Sequence, residues 1–131
     1  MDKKEDKENS HMYFEIQFFE AILNELPDFD EVLIALGDLY TKKGLYEKGL
    51  EIDQKLSRLK PRDPVVFYNL ACSYSLIHDI DKSLETIKRA IQYGYDDFDY
   101  LESDGDLHNL RQDDRFKQFF SKVKHKMITD I

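Results

Sequence analysis

The sequence repeats itself in LIALGDLY at residues 33–40 and FYNLACSY at residues 67–74. At an offset of 34 residues, the two stretches place leucine on leucine, glycine on alanine and tyrosine on tyrosine. The pairs that share the offset are Leu36 with Leu70, Gly37 with Ala71, Tyr40 with Tyr74, Leu50 with Leu84 and Pro27 with Pro61. A common offset over this many positions predicts a structural repeat, with one unit at residues 30–63 and a second at residues 64–97.

Each unit has the pattern of two helices joined by a turn. Leu33, Leu36 and Tyr40 follow the i, i+3, i+7 spacing of one helical face. Gly44 interrupts the first unit, and His78 stands at the matching place in the second, where we expect it to adopt a left-handed conformation. The repeat therefore predicts two helical hairpins.

Small residues recur where the two helices of a hairpin must approach each other. Gly37 and Ala71 lie on the first helix of each unit, and Gly49 and Ser83 on the second. At the start of the second unit, the pair Asp63–Pro64 has the pattern of an N-cap followed by proline in the first turn.

These residues resemble the tetratricopeptide repeat. The resemblance rests on the motif Leu–Gly–x–x–Tyr at residues 36–40 and its partner Leu–Ala–x–x–Tyr at residues 70–74, with Gly44 at the turn. Asp53 and Leu56 depart from the family pattern, which usually has an aromatic residue and alanine there. The resemblance implies an all-α fold, a short right-handed solenoid of antiparallel helix pairs with a C-terminal capping helix.

The remaining chain divides into three further segments. We expect a disordered polar arm at residues 1–11, a half-repeat helix at 12–29 and an atypical capping segment at 98–131. The last resembles the segment that closes many bacterial arrays of this family. Asp106 and Asp113 are its predicted N-caps, and one apolar face of its last helix is predicted to cover the stack, formed by Phe116, Phe119, Phe120 and Val123.

The N-terminal helix carries two apolar stripes. The first is predicted to pack inward and consists of Met12, Ile16, Phe19 and Leu23. The second contains Phe14, Phe18 and Ile22, for which the sequence offers no evident cover. Since exposed apolar surface on a chain of this type usually has a partner, these residues are a candidate self-association site. Homo-oligomerisation through this helix, with a homodimer as the simplest case, is the alternative function.

Charge and composition exclude several functions. The 131 residues contain 19 Lys plus Arg and 27 Asp plus Glu, for a formal net charge of −8. This charge disfavours nucleic acid and anionic membrane surfaces as partners. No stretch approaches the roughly 20 consecutive apolar residues of a membrane span. The single cysteine, Cys72, and the lack of a secretory signal at the N-terminus favour a cytoplasmic location.

Catalytic and metal-binding patterns are weak. Cys72 and His78 lie on different faces of one predicted helix, so the cysteine is interpreted as inert. An EF-hand calcium loop with Gly105 as its invariant glycine would have Tyr100 as its first ligand and Arg111 as its last. Neither side chain can bind calcium at those positions. The nearby aspartates are interpreted as helix caps. We therefore predict a chain that is not an enzyme and that needs no metal or cofactor.

The resemblance implies binding of another protein's peptide or helix in a concave groove, as an adaptor or scaffold. The corresponding positions share one helical face in each unit. They are Glu31, Ile34, Asp38, Thr41, Val65, Tyr68, Asn69, Cys72 and Ser75. One subclass of the family clamps a C-terminal carboxylate with lysine and asparagine. Ile34 and Asp38 replace two of those residues here, so we expect an apolar or mildly basic partner segment.

Overall fold

The computed structural model describes residues 3–129, and all regular secondary structure within that range is helical. The helices run in chain order as α1 (Lys3–Glu25), α2 (Asp30–Lys42), α3 (Tyr46–Leu59), α4 (Pro64–Leu76), α5 (Ile80–Gln92), α6 (Phe98–Ser103), a 3₁₀ turn (Gly105–Leu107), α7 (His108–Arg111) and α8 (Asp114–Thr129). Helices α2 and α3 pack as one pair, α4 and α5 as the next, and α3 packs on α4. The predicted all-α solenoid of antiparallel helix pairs is confirmed.

The small residues of the repeat allow the paired helices to touch. A Cβ atom on Gly37 would lie 3.1 Å from Ile52 Cγ2, and one on Gly49 would lie 3.0 Å from Thr41 Oγ1. In the second pair, the buried Ser83 hydroxyl donates a hydrogen bond of 2.8 Å to the carbonyl oxygen of Ala71. The helices of the first pair can therefore pack closely because Gly37 and Gly49 have no side chains. The helices of the second pair are also joined by a hydrogen bond.

The turns follow the predicted chemistry. Gly44 has φ +81° and His78 has φ +62°, so both adopt the left-handed conformation expected of them. The Asp63 side chain accepts hydrogen bonds from the backbone N–H groups of Val65 and Val66, at 2.9 and 3.1 Å, and Pro64 opens the helix. Helix α4 therefore begins where the Asp63–Pro64 pair predicts.

The two departures from the family pattern lie at the junction between the helix pairs. Leu56 is buried in one cluster with Leu33 and Val66. Asp53 is also buried, and its carboxyl group accepts a hydrogen bond of 2.5 Å from the Ser73 hydroxyl. A polar contact thus links the two units where the family usually packs an aromatic ring.

Helix α1 starts earlier than predicted. Residues 3–11 belong to it, so the prediction of a disordered arm is wrong for them, while residues 1 and 2 lie outside the described part of the chain. This stretch lacks glycine and proline, and Asn9 accepts a hydrogen bond of 3.2 Å from Lys43 Nζ, which ties it to the end of α2. The inward stripe packs as expected, with Ile16 buried against Leu36 and Tyr40.

The C-terminal segment continues the core of the second helix pair. Leu101, Leu107 and Leu110 are fully buried, and Phe116 and Phe120 pack with them from α8. Phe116 and Phe120 of the predicted apolar face therefore cover the stack, whereas Phe119 and Val123 of that face are only half-buried.

Aspartates cap α6, the 3₁₀ turn and α8 in the C-terminal segment, although one predicted cap is wrong. Asp113 accepts from the N–H groups of Arg115 and Phe116, as predicted. The 3₁₀ turn is capped by Asp104 instead of Asp106, whose own N–H donates to the Asp104 carboxylate at 3.0 Å. The chain turns at Asp104, which places Asp106 within the turn.

Candidate functional site

A groove of about 410 Å³ runs between the concave faces of α2 and α4. Its third wall is the C-terminal segment, which contributes Tyr100, Asp104 and Asp106. This surface is called the groove below, and the side chains that a ligand could reach in it include exposed Ile34, Asp38, Val65, Asn69 and Tyr100.

Seven of the nine predicted groove residues line it. They are Ile34, Asp38, Thr41, Val65, Tyr68, Asn69 and Cys72. Glu31 is exposed at the start of α2 and is not among the lining residues. Ser75 is wrongly assigned to the groove, because it is fully buried and its hydroxyl accepts a hydrogen bond of 3.1 Å from the N–H of Leu110.

Tyr68 and Cys72 lie in the groove wall and are largely closed to a ligand. Tyr68 is 4% exposed, stacks on Tyr95 with ring centroids 4.2 Å apart, and donates from its hydroxyl to Asp104 at 2.6 Å. Cys72 Sγ lies 3.7 Å from the same carboxylate. The expectation that Tyr68 offers its side chain to a partner is corrected by this arrangement, since the ring belongs to the docking of the C-terminal segment.

The electrostatics of Cys72 agree with its interpretation as inert. Burial, followed by the negative charges of Asp104 and Asp106, raises the pKa of the thiol well above its usual value. A thiol that keeps its proton is a poor nucleophile. Within residues 3–129, no His, Cys, Asp and Glu side chains come together in a group that could hold a metal ion.

The residues that sequence reasoning missed come from the capping segment. Tyr100 is 51% exposed and lies beside Tyr68, with the ring centroids 6.0 Å apart. Asp104 and Asp106 complete the wall. The acidic run that contains them is visible in the sequence, but its position opposite α2 depends on how the segment folds back.

The groove carries an excess of negative charge. Its lining contains five aspartates and one lysine, Lys60, which is paired with Asp30 at 3.1 Å. Burial, the charge of Asp104 and that of Asp38 together raise the pKa of the Asp106 carboxyl. The carboxylates of Asp38, Asp104 and Asp106 therefore lie close enough to repel one another, and a positively charged ligand would relieve that repulsion.

The second apolar stripe of α1 is exposed in part. Phe14 and Phe18 are 65% and 53% exposed, and their rings stack with centroids 6.5 Å apart. Ile22, predicted to share this surface, is half-buried. No helix within the described range has both the length and the apolar character of a membrane span.

Comparisons with known proteins give both sequence and structural likenesses. No family model matches the chain. A chloroplastic protein from Arabidopsis thaliana is 31% identical over 94 residues, which make up 70% of this chain and 28% of that protein. Protein CTR9 homolog from Arabidopsis thaliana is 40% identical over 72 residues, or 55% of this chain and 6% of that protein. The chain thus spans a minor part of both curated relatives.

Two solved structures of MamA share the fold. MamA 41-end from Desulfovibrio magneticus RS-1 aligns with a TM-score of 0.72 at 19% identity, covering 94% of this chain and 70% of that one. The structure described as "Crystal structure of MamA" aligns with a TM-score of 0.61 at 23% identity, covering 72% and 56%. Both are tetratricopeptide-like solenoids. The 34-residue repeat, the paired helices and these likenesses together show a chain with the tetratricopeptide-repeat-like fold.

Proposed function

We propose that the chain is a protein-binding module that holds a basic, partly apolar segment of another protein in the groove. The observation that carries this proposal is the composition of the groove surface. Ile34, Val65 and Tyr100 are 43%, 56% and 51% exposed, and Asp38 and Asp106 lie among them in the same lining. Exposed apolar side chains that surround a groove are characteristic of a binding surface.

The charge of the groove defines which segment it prefers. An acidic wall favours lysine or arginine in the partner and repels a terminal carboxylate. Asp38 is 62% exposed and its ion pair with Lys42, at 2.9 Å on the helix surface, contributes little. Its carboxylate is therefore accessible to a ligand cation. The role is that of an adaptor or scaffold, without a chemical step.

A displayed library of random peptides tests this assignment. We expect peptides selected on the full chain to combine Lys or Arg with large apolar residues. For a selected peptide, Asp38→Lys should weaken binding about tenfold or more, because a favourable charge contact becomes repulsive. Val65→Ser should also weaken it, through lost apolar contact, and added salt should lower the affinity.

Glu51→Lys is the matched control, since Glu51 is exposed on α3 and is absent from the groove lining. It changes the net charge as much as Asp38→Lys does and should leave the affinity unchanged. Selection of acidic peptides, or equal loss of binding in Asp38→Lys and Glu51→Lys, would overturn the proposal.

A further inference from the structure

The outer face of α1 carries a stripe that no other helix in the described part of the chain covers. Lys7, His11, Phe14, Phe18, Ala21 and Glu25 are all exposed. Their spacing alternates between four and three residues, as at the a and d positions of a heptad repeat. The residues that pack on α2, such as Ile16, lie on the opposite side of the helix. These six residues are called the outer stripe.

The order of side chains along the outer stripe is self-complementary. The two phenylalanines lie at its centre, with Lys7 toward the N-terminus and Glu25 toward the C-terminus. Both charged residues are equally far along the helix from the midpoint between Phe14 and Phe18. An antiparallel copy of the stripe would therefore place Phe14 opposite Phe18, and Lys7 opposite Glu25, on both sides of a two-fold axis.

We propose that the outer stripe is the contact surface of a homodimer in which two α1 helices pack antiparallel. Phe14 and Phe18 of each copy form the apolar centre, since aromatic side chains dominate the energetics of such contacts. Lys7 pairs with Glu25 of the other copy at each end. A two-fold contact uses the same patch on both chains, so the assembly closes at two copies.

The charges decide the orientation. A parallel pair would bring Lys7 toward Lys7 and Glu25 toward Glu25 of the other copy, and like charges at facing positions are destabilising. The antiparallel arrangement replaces both repulsions with attractions. This surface lies on α1 and shares no residue with the groove, so the dimer is independent of the proposed binding function.

Sedimentation equilibrium on the full chain tests the proposal. We expect the unaltered protein to dimerise at micromolar concentration. Phe14→Glu or Phe18→Glu should raise the dimer dissociation constant about 100-fold or more, since each buries an unpaired charge at the centre of the contact. Both side chains are exposed in the single copy, so circular dichroism should show an intact fold. Ile34→Glu, at an exposed apolar position of the groove, is the matched control and should still dimerise.

The two charged ends test the orientation. Lys7→Glu should weaken the dimer, and adding Glu25→Lys to the same chain should restore it. Mixing a Lys7→Cys chain with a Glu25→Cys chain under mild oxidation should give the mixed disulfide rather than a disulfide between two Lys7→Cys chains. The native Cys72 should not interfere, because it is buried.

A chain that stays monomeric at high micromolar concentration would overturn the proposal. A dimer that survives Phe14→Glu, or one that is lost in Ile34→Glu, would also overturn it, since either result places the contact elsewhere. Peptide binding in the groove can succeed or fail independently of these outcomes.

Discussion

Asp53 shows how one residue changes the junction between repeats. The residue is 8% exposed, and its carboxyl group lies between α3 and α4, where it accepts a hydrogen bond from Ser73. Burial raises the pKa of Asp53 to about 6, and the hydrogen bond from Ser73 opposes part of that rise. The protonated form is therefore better suited to this position than the ionised form.

The raised pKa predicts a specific pH dependence. Because folding raises the pKa of Asp53, its contribution to stability is fully present below the unfolded pKa of about 4 and is lost as the pH rises through about 6. Asp53→Asn removes this titration. The free energy of unfolding of the unaltered chain, relative to that of Asp53→Asn, should fall by about 2 kcal/mol between pH 4 and pH 7.

Urea denaturation across that pH range measures the difference. Ser73→Ala is the companion variant, because loss of the hydrogen bond should move the decrease to higher pH. Parallel pH profiles for the unaltered chain and Asp53→Asn would contradict the assignment.

The two left-handed turn residues give a second test at the residue scale. Gly44 has φ +81° and nothing within 4 Å of a Cβ placed on it, so Gly44→Ala introduces backbone strain without a steric clash. It should lower the free energy of unfolding by about 1 kcal/mol. His78→Gly should raise it by up to about 1 kcal/mol, since glycine relieves the strain at φ +62°. Urea denaturation at fixed pH measures both changes, and equal stability of all three chains would contradict the argument.

Among the packed elements, the capping segment is bound to α4 by buried and part-buried hydrogen bonds as well as by its leucines. The Ser75 hydroxyl accepts from the N–H of Leu110, and the Ser75 carbonyl oxygen accepts from Asn109 Nδ2 at 3.0 Å. The Asp104 carboxylate accepts a hydrogen bond from the hydroxyl of Tyr68. These contacts position the wall of the groove, so the stability of the cap and the shape of the candidate site are linked.

Ser75→Ala tests this link. It leaves the buried N–H of Leu110 without its acceptor, which should cost about 1–3 kcal/mol of unfolding free energy. Hydrogen exchange should increase across residues 98–112, while α2 and α3 stay protected. Ser103→Ala, at an exposed hydroxyl in α6, is the control and should change neither quantity. Unchanged exchange in Ser75→Ala would show that the leucines alone hold the segment.

At the scale of the whole molecule, the pairing of helices was predictable because it depends on local, repeated patterns. The offset between residues 33–40 and 67–74 locates two similar units, and the glycines and small residues at matching places mark where helices touch. Turn chemistry is equally local, so Gly44, His78 and Asp63 could each be interpreted from their neighbours in the chain. The helix at residues 3–11 was missed because a charge-rich stretch is compatible with either helix or disorder, and its hydrogen bond to Lys43 is a long-range contact.

The solenoid and the faces of α2 and α4 that line the groove follow from sequence periodicity, because the helical repeat assigns each side chain to a face. Which of those side chains remain accessible depends on long-range packing. Tyr68 and Ser75 lie on the predicted face but are buried, since the capping segment folds over them. Long-range packing also determines that Tyr100 and Asp106 form the third wall, because this segment has no repeat partner and docks through contacts more than 30 residues apart in the chain.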